Sequence, residues 1–583
     1  MPHPTLHFSA LANIFAELEK TSSNLAMIDI LAGFFKTASA DDARIAAYLI
    51  GGGVAPDYEG LELGLAEKLA LRAIAIAYDT PSPELERRLR RTGDLGSVVA
   101  EIAPRQSHAM LTLRQVFTEL RRLALLTGTG SQEKKLDALA ALIRRATAEE
   151  AKYLVRIVLG ALRLGVAEMT FLSALALATT GSRENKKTLE HGFNVLSDIG
   201  EVAYRAVKDG AASLSHARPE FGIPVRMMLA ERVAELEEVP EHIPGAVFVE
   251  YKYDGERLQA HIRNASDIVI FSRRHENITH QFPDVVAALK GTFGGKNAIV
   301  EGEVVAIDEK TGSMLPFQVL MQRRRKHDIE KYVASVPIRY VLFDLLHLDG
   351  RSLLEKPLDE RKRSLQKAFK SGGAIAYADA LRTGELAEIE SFFADATERG
   401  AEGVMIKDAA SHYEAGKRGW HWIKFKKDYA EALVDTFDLV VVGGLYGAGR
   451  RAGTYGSLLV AAYDPEDGRY YSCTKVGTGF TDVDLAALTK KLNRLRLKEK
   501  HRLVETGMKP DVWFEPMLVM EVSAAELTVS PTHTAARGKL KKGGLALRFP
   551  RFLRSRDDKN PTQATTVEEI YNLYRRARKI KKR

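Results

Sequence analysis

"VFVEYKYDGERLQAHI" spans residues 247–262. In an extended chain, side chains two apart share a face. Glu250 and Lys252 therefore point to one side, and Val247, Val249 and Tyr251 point into the other layer. Asp254-Gly255 is a turn signal, after which "RLQAHI" sets Arg257 and Gln259 against Leu258 and Ile262. The stretch reads as a strand ending on a lysine, then a turn that returns the chain beside it. Two readings of Lys252 follow. One is a surface ammonium in a salt bridge with Asp254, the simpler reading of a bare K-x-D-G. The other is a nucleophile, which must lose its proton near pH 7 from a free pKa of about 10.4 through nearby cations or desolvation.

The runs around this stretch favour the second reading. "IVEGEVVAI" places Glu301 and Glu303 on one face of an apolar strand. Acids there need a reason, such as a cation or a bound hydroxyl. "AEGVMIKD" opens a strand with Glu402 and closes it with Lys407, and "WIKFKK" puts Trp422, Lys424 and Lys426 on one face. Paired lysines on a strand suit phosphate oxygens. "SRRHEN" adds Arg273 and Arg274, and "YVLFDLLHLDG" adds Phe343, an aromatic able to stack on a base.

Farther out, residues 1 to about 215 read as helical, with windows such as "LRQVFTELRRLALL" and "KLDALAALIRRA". "LGLAE" at 63–67 recurs as "LGVAE" at 164–168, which suggests two related helical halves. Residues 223 to about 430 mix alternating runs with helices, an α+β domain with a mostly antiparallel core. From about 431, "FDLVVVGGLYG", "GSLLVAAYD" and "RYYSCTKVG" with Gly-rich turns suggest a small β-barrel with appended helices.

The 583 residues carry a net charge of +9, a weak pointer to polyanions. The single cysteine, Cys473, excludes an internal disulfide and a cysteine-based zinc site; it reads as strand packing. No charge-free stretch is long enough to span a bilayer and no secretion signal opens the chain, so a cytoplasmic location is expected, with no membrane partner. No G-x-x-x-x-G-K-[ST] loop occurs, which argues against a P-loop route to a nucleotide.

"KYDGER", "SRRHEN", "EGEVVAI", "YVLFDLLHLDG", "EGVMIKD" and "WIKFKKDY" resemble, in order, the nucleotidyltransferase motifs of ATP-dependent DNA ligases, and "LRFPRFLRSRDDKNPTQATT" resembles the last motif of that family. "GRRAGTYGSLLVAAYD", "KVGTGFTD" and "AAELTVSPTH" are similar to its OB-fold domain. "YEGLELGLAEK", "GDLGSVVAE", "GTGSQEKK" and "LRLGVAEM" are similar to its DNA-binding domain. The resemblance covers nearly the whole chain and is nearest the archaeal/eukaryotic type. It implies a multidomain chain: an all-α DNA-binding domain at 1–220, an α+β nucleotidyltransferase (adenylation) domain at 221–430, and a β-barrel OB-fold domain with a basic tail at 431–583.

The same resemblance implies the chemistry. Lys252 attacks the α-phosphate of ATP to give lysyl-AMP. Glu250 reads the adenine amino group and Phe343 stacks on adenine. Arg257 and Arg273 hold ribose, phosphate or the 5′-phosphate of the nick, and Glu303 and Glu402 position the ribose and Mg2+ or Mn2+. Arg418, Lys424 and Lys426 contact phosphate. Arg548 and Arg551 close over ATP from the OB-fold domain. The implied partner is nicked double-stranded DNA in replication, repair and recombination, the protein acting as a nucleoid-associated monomer. Two departures stand out. "RMMLA" replaces the commoner "RPMLA" at Met227. "RQSHAMLTL" (105–113) lacks the aromatic pair of a sliding-clamp-binding segment, so a clamp contact is not evident there. Alternatives are an RNA ligase or capping-type nucleotidyltransferase, against which the helical region and "RFPRF" argue, and a non-catalytic DNA-binding module, against which the full motif set argues.

Overall fold

The computed structural model describes residues 5–104, 111–162, 164–324, 333, 335–426, 436–447, 453–540 and 542–580. The chain divides into two compact units, Met1–Ala430 and Glu431–Arg583.

The first unit begins as a succession of α-helices from Phe8–Glu19 to Ile199–Asp209. Their starts are set by local chemistry. Thr112 and Thr147 form capping boxes with Gln115 and Glu150, while Asp94 and Asp198 accept from backbone N–H groups three residues on. The apolar faces, rich in Ala and Leu, merge into one core that includes Phe8, Phe15, Phe35, Leu120, Leu154 and Leu172. The repeated "LG-x-AE" is the same turn twice. Gly64 (φ 63°) and Gly165 (φ 70°) adopt the left-handed conformation, and each precedes a helix, Glu67–Tyr78 and Glu168–Thr180.

Two sheets follow. Strands β1 (Leu229–Arg232), β2 (Val247–Lys252), β3 (Glu256–Arg263), β4 (Asp267–Ser272), β5 (Ala298–Ala306), β6 (Ile338–Leu348), β7 (Arg351–Ser352), β8 (Ile375–Tyr377), β9 (Ala380–Thr383), β10 (Gly403–Asp408) and β11 (Arg418–Lys426) are introduced in chain order. One sheet runs β1-β11-β10-β2-β9; the other runs β4-β3-β5-β6-β7, with β8 on β6. Pairing is antiparallel except β1 with β11 and β6 with β8, a mostly antiparallel core. Val247, Val249 and Tyr251 pack into a core with Val404, Ile406, Ile423 and the helix Leu386–Glu398, which leaves Glu250 and Lys252 on the opposite face.

The hairpin expected at Asp254-Gly255 does not form. β2 pairs with β10 and β9, and β3 pairs with β4 and β5, so this turn carries the chain from one sheet to the other. The glycine serves space, not turn dihedrals: a Cβ there would lie 2.3 Å from the Val304 carbonyl oxygen on β5. Asp254 ties the corner by accepting from the Phe317 N–H at 3.0 Å.

The helical region docks on these sheets. Val195 joins a cluster with Val225, Met228, Phe343, Leu346 and Trp422. Arg226 grips Glu168 through two bonds of 2.8 and 2.6 Å, and its N–H donates to the Asn194 carbonyl. Met227, which replaces the commoner proline, and Met228 are both buried.

In the second unit, strands β12 (Thr436–Tyr446), β13 (Tyr455–Asp464), β14 (Arg469–Val476), β15 (Arg496–Leu497), β16 (Val504–Glu505), β17 (Val512–Phe514), β18 (Val519–Ser523), β19 (Glu526–Ser530), β20 (Gly544–Arg548) and β21 (Arg551–Ser555) form OB-like curled sheets. The path is β15-β17-β12-β13-β14-β16, with β18 bridging β12 to β21 and with β19 paired to β20. β12 and β13 are apolar on both faces: Leu439, Val441, Leu458 and Val460 fill one core, and Val440, Val442, Leu459 and Ala461 the other. Cys473 is fully buried on β14, and burial pushes its thiol up to about 12, as strand packing requires. The tail helix is Val567–Ile580; the last three residues of the basic run lie outside the described residues, as does 105–110 of the segment compared with a clamp-binding sequence. No helix among the described residues is long and apolar enough to cross a membrane.

Because backbone cannot move aside as a side chain can, Gly255→Ala forces the corner between β2 and β3 away from the Val304 carbonyl on β5. The expected cost is about 1–3 kcal/mol, as for other overpacked sites. A lowered thermal midpoint in calorimetry checks this, and an unchanged midpoint contradicts the close approach.

Candidate active site

Register builds the site. β10 lies between β2 and β11, and its pairings align three rows across the sheet: Phe248–Lys407–Trp422, Glu250–Met405–Lys424 and Lys252–Gly403–Lys426. Rows two residues apart share a face. Glu250, Lys252, Lys407, Trp422, Lys424 and Lys426 therefore meet on one surface, although they lie up to 176 residues apart in the chain. Gly403 supplies no side chain between Lys252 and Lys426, and Glu402 fills that space. Its Oε2 accepts from Lys252 and from Lys426, the latter at 2.8 Å. Lys252 thus pairs with Glu402, and the salt bridge with Asp254 is not the one formed.

Charges around this edge are unbalanced in a telling way. Burial lowers the pKa of Lys424, and Arg418, Lys252, Lys426 and Arg273 lower it further. Five cations thus converge, and Glu402 is the carboxylate that bridges two of them. Arg418 and Arg273 are exposed, Arg418 donating to the Ala230 carbonyl at 3.2 Å. Burial raises the Glu402 pKa, but Lys252 and Lys426 outweigh it and hold the group below its usual value. Glu303, on β5 opposite Arg257, is pushed up to about 7 by burial, with Glu402 and Glu256 adding to the rise against Lys252 and Arg257.

A second layer lies under this surface. Glu301 is fully buried and accepts from three groups: Arg257 at 2.7 Å, Gln259 at 2.9 Å and the Tyr413 hydroxyl at 3.0 Å. Arg257 also donates to the Met228 carbonyl at 2.7 Å, and Tyr413 accepts from the Met228 N–H at 2.9 Å. Both backbone polar groups of Met228 are thereby fixed. Phe343 is 7% exposed and meets Trp422 edge-on at 6.2 Å, with the Arg257 guanidinium 5.3 Å from its ring centre. Glu250, 2% exposed, is held by Lys407 at 2.6 Å and by Lys362 from the helix Leu358–Ala368.

Glu250, Lys252, Arg257, Arg273, Glu303, Phe343, Glu402, Arg418, Lys424 and Lys426 all lie within the two-sheet region. Arg548 and Arg551 lie in the second unit, exposed on either side of Phe549-Pro550. Sequence reading missed Lys362, Tyr413 and the hub role of Glu301. "IVEGEVVAI" placed Glu301 beside Glu303 on an apolar strand as an acid that needs a partner; nothing local marks a helical lysine as a partner of Glu250.

Three sequence models match the chain: "DNA ligase N terminus" over residues 7–176, "ATP dependent DNA ligase domain" over 227–426 and "ATP dependent DNA ligase C terminal region" over 451–559. DNA ligase 2 of Thermofilum pendens is 45% identical, covering 98% of this chain and 98% of the relative. The DNA ligase of Hyperthermus butylicus is 43% identical, covering 99% and 98%. A solved structure titled "Pmar-Lig_Pre." aligns over 94% of this chain and 99% of that chain, with a TM-score of 0.56 and 21% identity, a likeness of fold. These matches do not favour an RNA ligase or capping enzyme.

Two outcomes follow. Glu301→Leu strips the carboxylate from a largely buried Arg257, at an expected cost of about 3–5 kcal/mol, read as a lower urea midpoint for unfolding of the unit Met1–Ala430. Burial pushes the Glu303 carboxyl from the ordinary glutamate value of 4.5 up to about 7, so the native state binds the extra proton between those values. Its charge therefore destabilises progressively as pH rises through that window. Glu303→Gln should raise the thermal midpoint relative to the parent more at pH 8 than at pH 5, and an equal effect at both pH values contradicts the assignment.

Proposed function

Given that this chain belongs to the ATP-dependent DNA ligases, we propose that Lys252 is the residue that carries AMP between ATP and DNA. The enzyme is an ATP-dependent DNA ligase, and nicked DNA is its substrate. The observation that supports Lys252 is the five-cation cluster at the edge of the β2–β10–β11 face, where burial and the neighbouring cations Arg418, Lys252, Lys426 and Arg273 together lower the Lys424 pKa. Phosphoryl transfer is chiefly positioning and neutralisation of phosphate charge, which such a cluster suits.

In this reading Lys252 Nζ, unprotonated, attacks the α-phosphorus of ATP; the P–N bond forms and pyrophosphate leaves. The 5′-phosphate of the nick then displaces the lysine, giving DNA-adenylate. The 3′-hydroxyl attacks that phosphate and AMP departs. Arg418, Lys424 and Lys426 hold phosphate oxygens. Glu250 and Phe343 address the base, Arg257 and Arg273 the ribose or phosphate. Arg548 and Arg551 serve the pyrophosphate from the OB-fold domain, which closes during the cycle.

Among the described residues no group of three or more His, Cys, Asp or Glu side chains could hold a metal ion. Glu303 and Glu402 supply two oxygen donors, and this fits Mg2+ or Mn2+, which keeps waters and takes substrate phosphate as further ligands. When bound, the ion neutralises phosphate charge. The domains divide at 1–220, 221–430 and 431–583. The protein is a cytoplasmic, nucleoid-associated monomer that binds duplex DNA through phosphates, and therefore with strong salt dependence. Its role lies in replication, repair and recombination. A sliding-clamp contact through 105–113 has no support.

Incubation with ATP labelled at the α-phosphate tests the assignment. The full-length protein should take up the label and pass it to nicked duplex DNA. Lys252→Ala should take up none, and label persisting in that variant rejects Lys252 as the carrier.

A further inference from the structure

Glu250 has more positive charge around it than neutralisation needs. Its carboxylate is 2% exposed, and each oxygen faces a lysine: Lys407 on Oε2 at 2.6 Å and Lys362 on Oε1. One ammonium suffices to balance a buried carboxylate, and each further buried charge adds a desolvation cost. The lysines come from separate elements, Lys407 from β10 and Lys362 from the helix Leu358–Ala368. Asp344, the next acid in reach of both, is already neutralised by Arg361 through bonds of 2.7 and 3.0 Å. The Lys407 ammonium is also held 4.2 Å from the ring centres of both Phe343 and Trp422, so it cannot swing freely. Burial pulls its pKa down to about 8 despite Glu250. A fold that tolerates this strain on a lysine is using its charge where it stands.

We propose that Lys362 and Lys407 are specificity-determining positioning residues that hold Glu250 as a fixed, ionised acceptor at the base edge of the nucleotide pocket. The inference rests on the reading that Glu250 addresses the base. An ionised carboxylate accepts hydrogen bonds and donates none. Each oxygen keeps a lone pair beyond the one its lysine uses, enough for the exocyclic amine of adenine. The carbonyl of guanine, at the same ring position, brings lone pairs against lone pairs and is rejected. A carboxyl free to take up a proton could donate to that carbonyl, and discrimination would fade. The paired ammonium groups prevent this: burial alone would raise the Glu250 pKa, and the two lysines hold it below the usual carboxylate value. They also stop the side chain rotating away from the base.

The test is self-adenylation of the full-length enzyme with ATP and with GTP, compared for the parent, Glu250→Gln, Lys407→Met, Lys362→Gln and the two Lys→Arg variants. The parent should favour ATP. Lys407→Met and Lys362→Gln should each lower the ATP-over-GTP ratio of kcat/KM by about tenfold or more, mainly through a raised KM for ATP, and arginine at either position should restore the ratio. Lys362 is partly exposed, with 12% of its side chain accessible, so Lys362→Gln remains informative if Lys407→Met fails to fold. If Glu250→Gln lowers the ratio while the lysine variants keep it, the inference is overturned and Glu250 still reads the base. If Glu250→Gln leaves the ratio intact, the reading of Glu250 itself fails and the inference falls with it.

Discussion

The pairing of β10 between β2 and β11 is the constraint on which the site depends. Antiparallel register opposes Lys252 to Gly403 and Gly403 to Lys426, so that a missing side chain leaves the space in which Glu402 bridges two lysines. A slip of β10 by one residue would turn Gly403, Met405 and Lys407 to the other face. That slip is opposed by the apolar side: Val404 and Ile406 would leave the core they share with Val247, Val249, Tyr251 and Ile423. The chemistry on one face is thus kept in place by burial on the other.

Buried carboxylates organise what lies below. Glu301 gathers Arg257, Gln259 and Tyr413, and through Arg257 and Tyr413 pins the N–H and carbonyl of Met228, on the segment that joins the helical region to the sheets. Glu250 gathers two lysines, and Asp344 is matched to Arg361. Each acid on an otherwise apolar strand carries its own cation, as burial of charge demands. Glu303 departs from this pattern. No ion pair holds it among the described residues, and burial pushes its pKa up to about 7.

Much of this was legible in the chain. Alternation in "VFVEYK" separated Glu250 and Lys252 from the apolar residues, and "WIKFKK" put Trp422, Lys424 and Lys426 on one face, as the strand register has them. The errors were local signals read without their partners. Asp-Gly was read as a hairpin turn, but the glycine answers to a carbonyl on β5, some 49 residues onward, and this is invisible in a four-residue window. Lys252 was weighed against its near neighbour Asp254, whereas its partner Glu402 arrives from 150 residues away.

The sequence by itself determined the helical, α+β and β-rich character of successive regions, and which strand positions could hold chemistry, because those follow from periodicity and from the cost of placing charge among apolar residues. Tertiary structure decided which charge meets which. Whether Lys362 would reach Glu250, or Glu402 would stand between Lys252 and Lys426, depends on strand order and helix docking. Coulombic partners are set by distance in space, and the chain encodes that distance only through the packing of all its apolar faces at once.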